Sequence, residues 1–167
     1  MTQPRPQLKK SAPLCINCGA KMKLKAVIDT NIAISGLLWK GSPNEILKLA
    51  RDGKIHLCCT EAMIEELRQV IEYERFQKRI EKMEITKDEV LNYYLDIVTL
   101  YSTESKVEVV KTDPSDDKFI GAAIDSRAYI VISGDKHLLD INAYEKIQVL
   151  DPSSFLKAYN EIINKKK

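Results

Sequence analysis

The sequence has no apolar stretch approaching the roughly 18 residues of a membrane span. Met1 to Lys10 carries no apolar segment of the kind that heads a secretory signal. Aromatic residues make up only 7%, there are two histidines, and charge of one sign is not in excess: 26 basic against 24 acidic side chains leave +2. Membrane insertion and export are therefore not expected, and the cytoplasm is the default location. A near-neutral balance also means that any nucleic-acid surface must come from local clustering. What is present is ordinary for a soluble globular chain, with 44% hydrophobic and 30% charged residues in 167. At this length one domain is expected, burying about 68–70% of its unfolded surface without staples.

The four cysteines form two pairs, Cys15/Cys18 and Cys58/Cys59. Without an export signal a disulfide framework is not expected. Cys15-Ile16-Asn17-Cys18 has the form of half a zinc knuckle, but a second such pair is missing. A zinc at Cys15 and Cys18 would need ligands from a partner or a second copy, and the preferred reading is a flexible cysteine-containing leader over residues 1–21. Met22, just before the first core strand, could itself start translation. Cys58 and Cys59 lie in an apparent strand, where neighbours face opposite sides, so they should not share one metal.

Lys25 to Ile28 is a short apolar run ending in Asp29-Thr30-Asn31, which reads as a buried strand followed by a turn. Ser42-Pro43-Asn44-Glu45 reads as a capping box with proline at the first helical position, and Gly53 is placed to end that helix. Ile55 to Cys59 reads as a strand. Thr60 can cap the next helix, whose stripe is Met63, Ile64, Leu67, Val70 and Ile71. Thr86 to Glu89 is a second capping box, opening a helix that carries Val90, Leu91, Tyr94, Ile97, Val98 and Tyr101. Lys106 to Val110 reads as a strand and Thr112 to Ser115 as a turn. Asp116-Asp117 opens a helix with Phe119, Ile120, Ala123 and Ile124. Tyr129 to Ile132 is a strand ending in Ser133-Gly134-Asp135. Ile147 to Leu150 is the last strand, and Asp151-Pro152 starts a helix burying Phe155, Leu156, Tyr159 and Ile162. Strands separated by helices imply an α/β fold with a parallel sheet covered on both faces.

In such sheets, sites form beyond the carboxyl ends of strands. Two apolar strands here run into aspartates, Asp29 and Asp135, while Asp116 and Asp117 stand at a helix start that favours negative charge. Any one of these can be an ordinary cap; the set is what carries the signal. At about 100° per residue, the stripe of the Thr60 helix centres near Leu67. Glu66 then lies beside it, facing the sheet end, while Glu65 and Glu72 point away. Converging Asp29, Glu66, Asp117 and Asp135 would repel one another unless a hard cation joined them. Mg²⁺ or Mn²⁺ suits carboxylate oxygens and leaves room for a phosphate.

The segments Val27-Ile28-Asp29-Thr30-Asn31, Glu66-Leu67, Asp116 to Ala123 and Ile132 to Leu139 resemble, in order and spacing, the signature segments of PIN-domain nucleases. The resemblance is to the prokaryotic branch that supplies toxin components of type II toxin–antitoxin systems, and it runs from about Met22 to Leu156. It implies an α/β/α sandwich over residues 22–164, with a basic tail at 165–167. It also implies a metal-dependent endoribonuclease acting on single-stranded RNA, with Asp29, Glu66, Asp117 and Asp135 as catalytic residues and Mg²⁺ or Mn²⁺ ligands. Asn31 and Ser133 match supporting positions, and Asp116 is a candidate fifth acid. An antitoxin partner, a homodimer and no membrane association are expected with it.

Two alternatives stay open. A haloacid-dehalogenase-like phosphatase would use Asp29 as nucleophile and Asp135 with Asp140 at the metal. It expects an aspartate where Asn31 stands, and an amide cannot serve as general acid. A non-catalytic acidic binding pocket is the other. Arg75, Lys78, Arg79 and Lys82 could follow an RNA backbone, but with Glu74, Glu81 and Glu84 interspersed a solvated helix is the preferred reading. His56 and His137 lack spaced partners and are not expected to bind metal.

Overall fold

Leu24–Ile28 forms β1, whose last three residues are all buried, so both faces of the strand are covered by protein. The computed structural model describes residues 23–108, 110 and 114–165. The Cys15/Cys18 leader, Met22, part of the Thr112 to Ser115 turn and the last two lysines lie outside that set. After β1 come α1 (Thr30–Leu38), α2 (Ser42–Arg51), β2 (Ile55–Thr60), α3 (Glu61–Val70), α4 (Glu74–Lys82), α5 (Lys87–Ile97) and β3 (Val98–Tyr101). A 3₁₀ turn at Pro114–Asp116 leads into α6 (Asp117–Ser126), then β4 (Ile130–Ile132), α7 (Lys136–Ile141), β5 (Ala143–Tyr144), β6 (Ile147–Leu150) and α8 (Pro152–Lys165).

The sheet order is β3-β2-β1-β4-β6-β5. All neighbours are parallel except β5, which pairs antiparallel with β6. The fold is thus an α/β/α sandwich around a mostly parallel sheet. The chain leaves β1 toward β2 on one side and returns to β4 on the other, so the strand order reverses between β1 and β4. A crevice opens beyond the carboxyl ends of strands at such a switch point. Val27 lies level with both Cys58 and Val131, which brings the ends of the three strands together.

Several local expectations are corrected. Asp29-Thr30-Asn31 is no turn: α1 begins at once, and Thr30, Ile32, Ala33, Ile34, Gly36 and Leu38 are all buried in it. A helix apolar on nearly every side has no polar face to reveal its period. The Ser42 capping box does not form; Gly41 occupies the cap position at φ 137°, and the Ser42 hydroxyl faces that of Ser153 instead. The predicted strand over residues 106–110 is irregular among its described residues. The strand lies earlier, at Val98–Tyr101, where a β-branched and aromatic run ends α5 and pairs with β2. Ile162 is exposed rather than buried. The Thr86 box is present with both reciprocal bonds, and Gly53 at φ 68° closes α2 as its amide donates to Ala50 and that of Lys54 to Leu49.

Gly36 sits where α1 crosses α2. A Cβ there would lie 2.8 Å from both the Pro43 carbonyl oxygen and Leu47 Cδ1. Gly121, inside α6, would meet nothing nearer than the Ser105 carbonyl oxygen at 3.5 Å. Gly36→Ala should therefore destabilise by about 1–3 kcal/mol through overpacking. Gly121→Ala should stabilise by about 0.5–1 kcal/mol, because it restricts the unfolded chain without a clash. Urea melts of the two variants should move in opposite directions; a shared direction would contradict the packing described.

Candidate active site

Asp29 ends β1 and caps α1. Its Oδ1 accepts from the Ile32 amide at 2.7 Å, and its Oδ2 accepts from the Ser133 hydroxyl and from the Gly134 amide at 3.3 Å. The residue is only 4% exposed. Burial raises its pKa above the ordinary carboxylate value, and the charge of Asp135 adds to the rise; the three donors oppose it without cancelling it. Ser133 is fully buried at the end of β4, and its hydroxyl oxygen also accepts from the Asp135 amide at 2.9 Å. One hydroxyl thus links the two aspartates. Asp135 caps α7, accepting from the His137 amide at 2.7 Å.

Glu66 lies on the side of α3 that turns to the sheet end, as its helical phase requires, and Glu65 is exposed. Glu66 accepts from the hydroxyl of Thr30, the residue after Asp29, and its Oε1 stands 2.9 Å from Lys118 Nζ. Lys118 follows Asp117, a buried residue at the start of α6 whose Oδ1 accepts from the Val110 amide at 2.7 Å. Asp116, half-buried, ends the 3₁₀ turn before it. A line of contacts and chain neighbours therefore runs Asp135, Ser133, Asp29, Thr30, Glu66, Lys118, Asp117. Asn31 is exposed at the start of α1 and faces an adjoining cleft.

Thr30 and Lys118 had no role in the sequence reading. Each directly follows a candidate acid, and that adjacency was the available signal: a hydroxyl and an ammonium one position from a carboxylate can reach its neighbours.

Asp29, Glu66, Asp117 and Asp135 present hard oxygen donors, which fit Mg²⁺ or Mn²⁺ in chemistry. Among the described residues no three of His, Cys, Asp or Glu are drawn together as a ligand cluster. Glu66 instead has the Lys118 ammonium as its counter-charge. Cys58 and Cys59 are buried in β2, and burial pushes the Cys59 thiol up to about 12, so it packs as a neutral group. The His56 ring lies 3.2 Å from the Tyr101 hydroxyl, and burial first, then Lys25, lowers its pKa. No helix among the described residues is long and apolar enough to cross a membrane.

The family model described as PIN domain matches residues 25–137. An uncharacterized protein of Methanocaldococcus jannaschii is 31% identical over 159 residues, which cover 86% of this chain and 97% of the relative. Among solved structures, VapBC2 from Rickettsia felis, bound to a DNA fragment from its promoter, aligns with a TM-score of 0.49 at 11% identity, over 75% of this chain and 97% of the matched chain. The family match spans more than half of the sequence and takes in both strands that end in Asp29 and Asp135: the chain belongs to the PIN-domain family, whose members are in general nucleases.

Proposed function

We propose that this protein is a Mg²⁺- or Mn²⁺-dependent endoribonuclease acting on single-stranded RNA, with Asp29, Glu66, Asp117 and Asp135 as its working acids. The observation that supports this most is Asp29: a carboxylate buried at the switch point of a parallel sheet and tied to Asp135 through Ser133. PIN nucleases generally use divalent metals such as Mg²⁺. Such an ion, when bound, lowers the pKa of a water and neutralises phosphoryl charge. The chain supplies the rest. The four acids would hold the ion, and the Ser133 and Gly134 donors fix the Asp29 carboxylate in one orientation. Thr30 and Lys118 fix Glu66. Asp116 and Asn31 border the site as supporting polar groups.

A role as toxin of a toxin–antitoxin pair in the cytoplasm, with an antitoxin partner and a homodimeric state, belongs to the same proposal and rests on the motif segments. Induced expression should arrest growth, and a co-expressed antitoxin should relieve it.

The direct test is cleavage of end-labelled single-stranded RNA. Activity should require Mg²⁺ or Mn²⁺ and should persist in the Cys58→Ala/Cys59→Ala double variant. Alanine, not serine, is the informative replacement, because a serine hydroxyl would be buried in the core. Cleavage that continues in excess chelator would overturn the metal-dependent reading.

A further inference from the structure

Asn31, Ser35 and Trp39 recur every four residues and line one side of a cleft of about 430 Å³. That side runs along α1 for roughly 12 Å, from beside Asp29 to the helix end. Arg75 and Phe76, at the start of α4, form the facing wall. Trp39 and Tyr73 are 41% and 55% exposed, and both rings meet Phe76. The Tyr73 and Phe76 rings are near-parallel, at 18° with centroids 6.4 Å apart, and Trp39 meets Phe76 edge-on at 6.0 Å.

Two guanidinium groups lie on these rings. Arg75 is 4.4 Å from the Phe76 centroid and Arg79 is 5.7 Å from that of Trp39. Arg79 also donates to the Leu38 carbonyl at 3.0 Å, which holds the two helices together. The neighbouring acids are engaged elsewhere: Glu74 with Lys78 and Glu72 with Lys87. Arg75 has no ion-pair partner among the described residues. The preferred sequence reading of this stretch as an ordinary solvated helix therefore omits what its arginines do on the cleft side.

Exposed rings beside a guanidinium without an ion-pair partner among the described residues suit a ligand that is both flat and anionic. Single-stranded nucleic acid has both properties, since every base offers a π-face and every linkage a phosphate. We infer that the cleft, together with the Tyr73 ring stacked on Phe76 beside it, is a substrate-binding subsite for single-stranded RNA, in which Trp39 and Tyr73 stack on bases and Arg75 meets a backbone phosphate. It rests on the nuclease reading and extends it, because the wall formed by α1 leads through Asn31 to Asp29. A protein partner with a hydrophobic anchor would use the rings but would leave Arg75 without purpose.

Trp39 is the sole tryptophan of the chain, so its emission reports on the cleft alone. The full-length protein, in chelator, is titrated with a 2′-O-methyl RNA hexamer that resists hydrolysis. Saturable quenching is expected, with a hairpin duplex binding at least about tenfold more weakly because its bases are already stacked. Tyr73→Ala should weaken hexamer binding by about 5–150-fold. Arg75→Ala should reduce the slope of log K against log salt by about 0.7, the share of one phosphate. Both residues are exposed, so neither replacement opens the core. Absent quenching, equal binding of duplex and single strand, or unchanged affinity and salt slope in the variants would each overturn the inference. So would emission that responds to a partner protein but not to the hexamer. Hydrolysis plays no part in the titration, so the two readings fail separately. RNA binding without cleavage in Mg²⁺ would sink the nuclease, whereas cleavage with unaltered binding in both variants would sink the subsite.

Discussion

Asp29→Asn is expected to lower metal-dependent RNA cleavage by at least about two orders of magnitude, the scale of losing one preorganised electrostatic group from a reacting centre. The same variant should show a changed pH dependence of stability in chelator. The native carboxyl holds its proton to higher pH than the unfolded one, whose ordinary value is 3.8. Wild type therefore loses stability as pH rises from the unfolded value through the raised native one, and carries the full penalty at neutral pH. An amide has no such titration. Its Oδ1 can keep the Ile32 bond, but its NH₂ group would confront the Gly134 amide, a cost that does not vary with pH. The melting temperature of the variant should thus gain on wild type between pH 4 and pH 7. Each kcal/mol moves it by roughly 2–4 °C in a chain of this size. Added Mg²⁺ should narrow the gap by stabilising wild type alone. A gap that is flat with pH, or that widens in Mg²⁺, would show that the charge on Asp29 is not what the fold works against.

Glu66→Gln should also abolish most cleavage, by at least about a hundredfold, while Glu65→Gln should stay within about twofold of wild type. Glutamine at 66 keeps the shape but removes the charge that Lys118 and an incoming cation would both seek. Glu65 points into solvent. The Glu66–Lys118 pair is partly exposed, 29% and 23%, so its loss should cost stability less than about 1 kcal/mol. Activity and melting should therefore separate in Glu66→Gln. Equal activity losses in the two glutamine variants would assign the wrong face of α3 to the site.

Patterns that repeat within a few residues were legible. The Thr86 box, the helix after Asp151-Pro152, the strands at Ile55, Ile130 and Ile147 and the phase of Glu66 all follow from local chemistry. What was missed depends on the other side of the contact. Val98 to Tyr101 continues a helical stripe until β2 offers an open edge, and only then does the β-branched run become a strand. Residues 106–108 alternate too, yet they pair with no strand among the described residues. Gly41 takes the cap from Ser42, whose hydroxyl faces Ser153, 111 positions further on. Asp29 and Asp135 were legible as carboxylates following apolar strands, Asp117 as the start of a helix. Thr30 and Lys118 were not, because their significance lies in Glu66, which arrives from another helix.

Among the described strands, β1, in the middle of the sheet, is the first one made. Asp29 leans on Ser133, 104 residues downstream, and β1 is flanked by strands that begin at Ile55 and Ile130. At about 5–20 residues per second of synthesis, roughly 6–24 s separate the making of Asp29 from that of Leu150, the end of β6. For most of that interval, until β4 is made, the strand lacks its second neighbour. A parallel pairing this distant in sequence is also slow to close. The contact of Asp29 with Ser133, and through it with Asp135, is therefore a late product of biosynthesis.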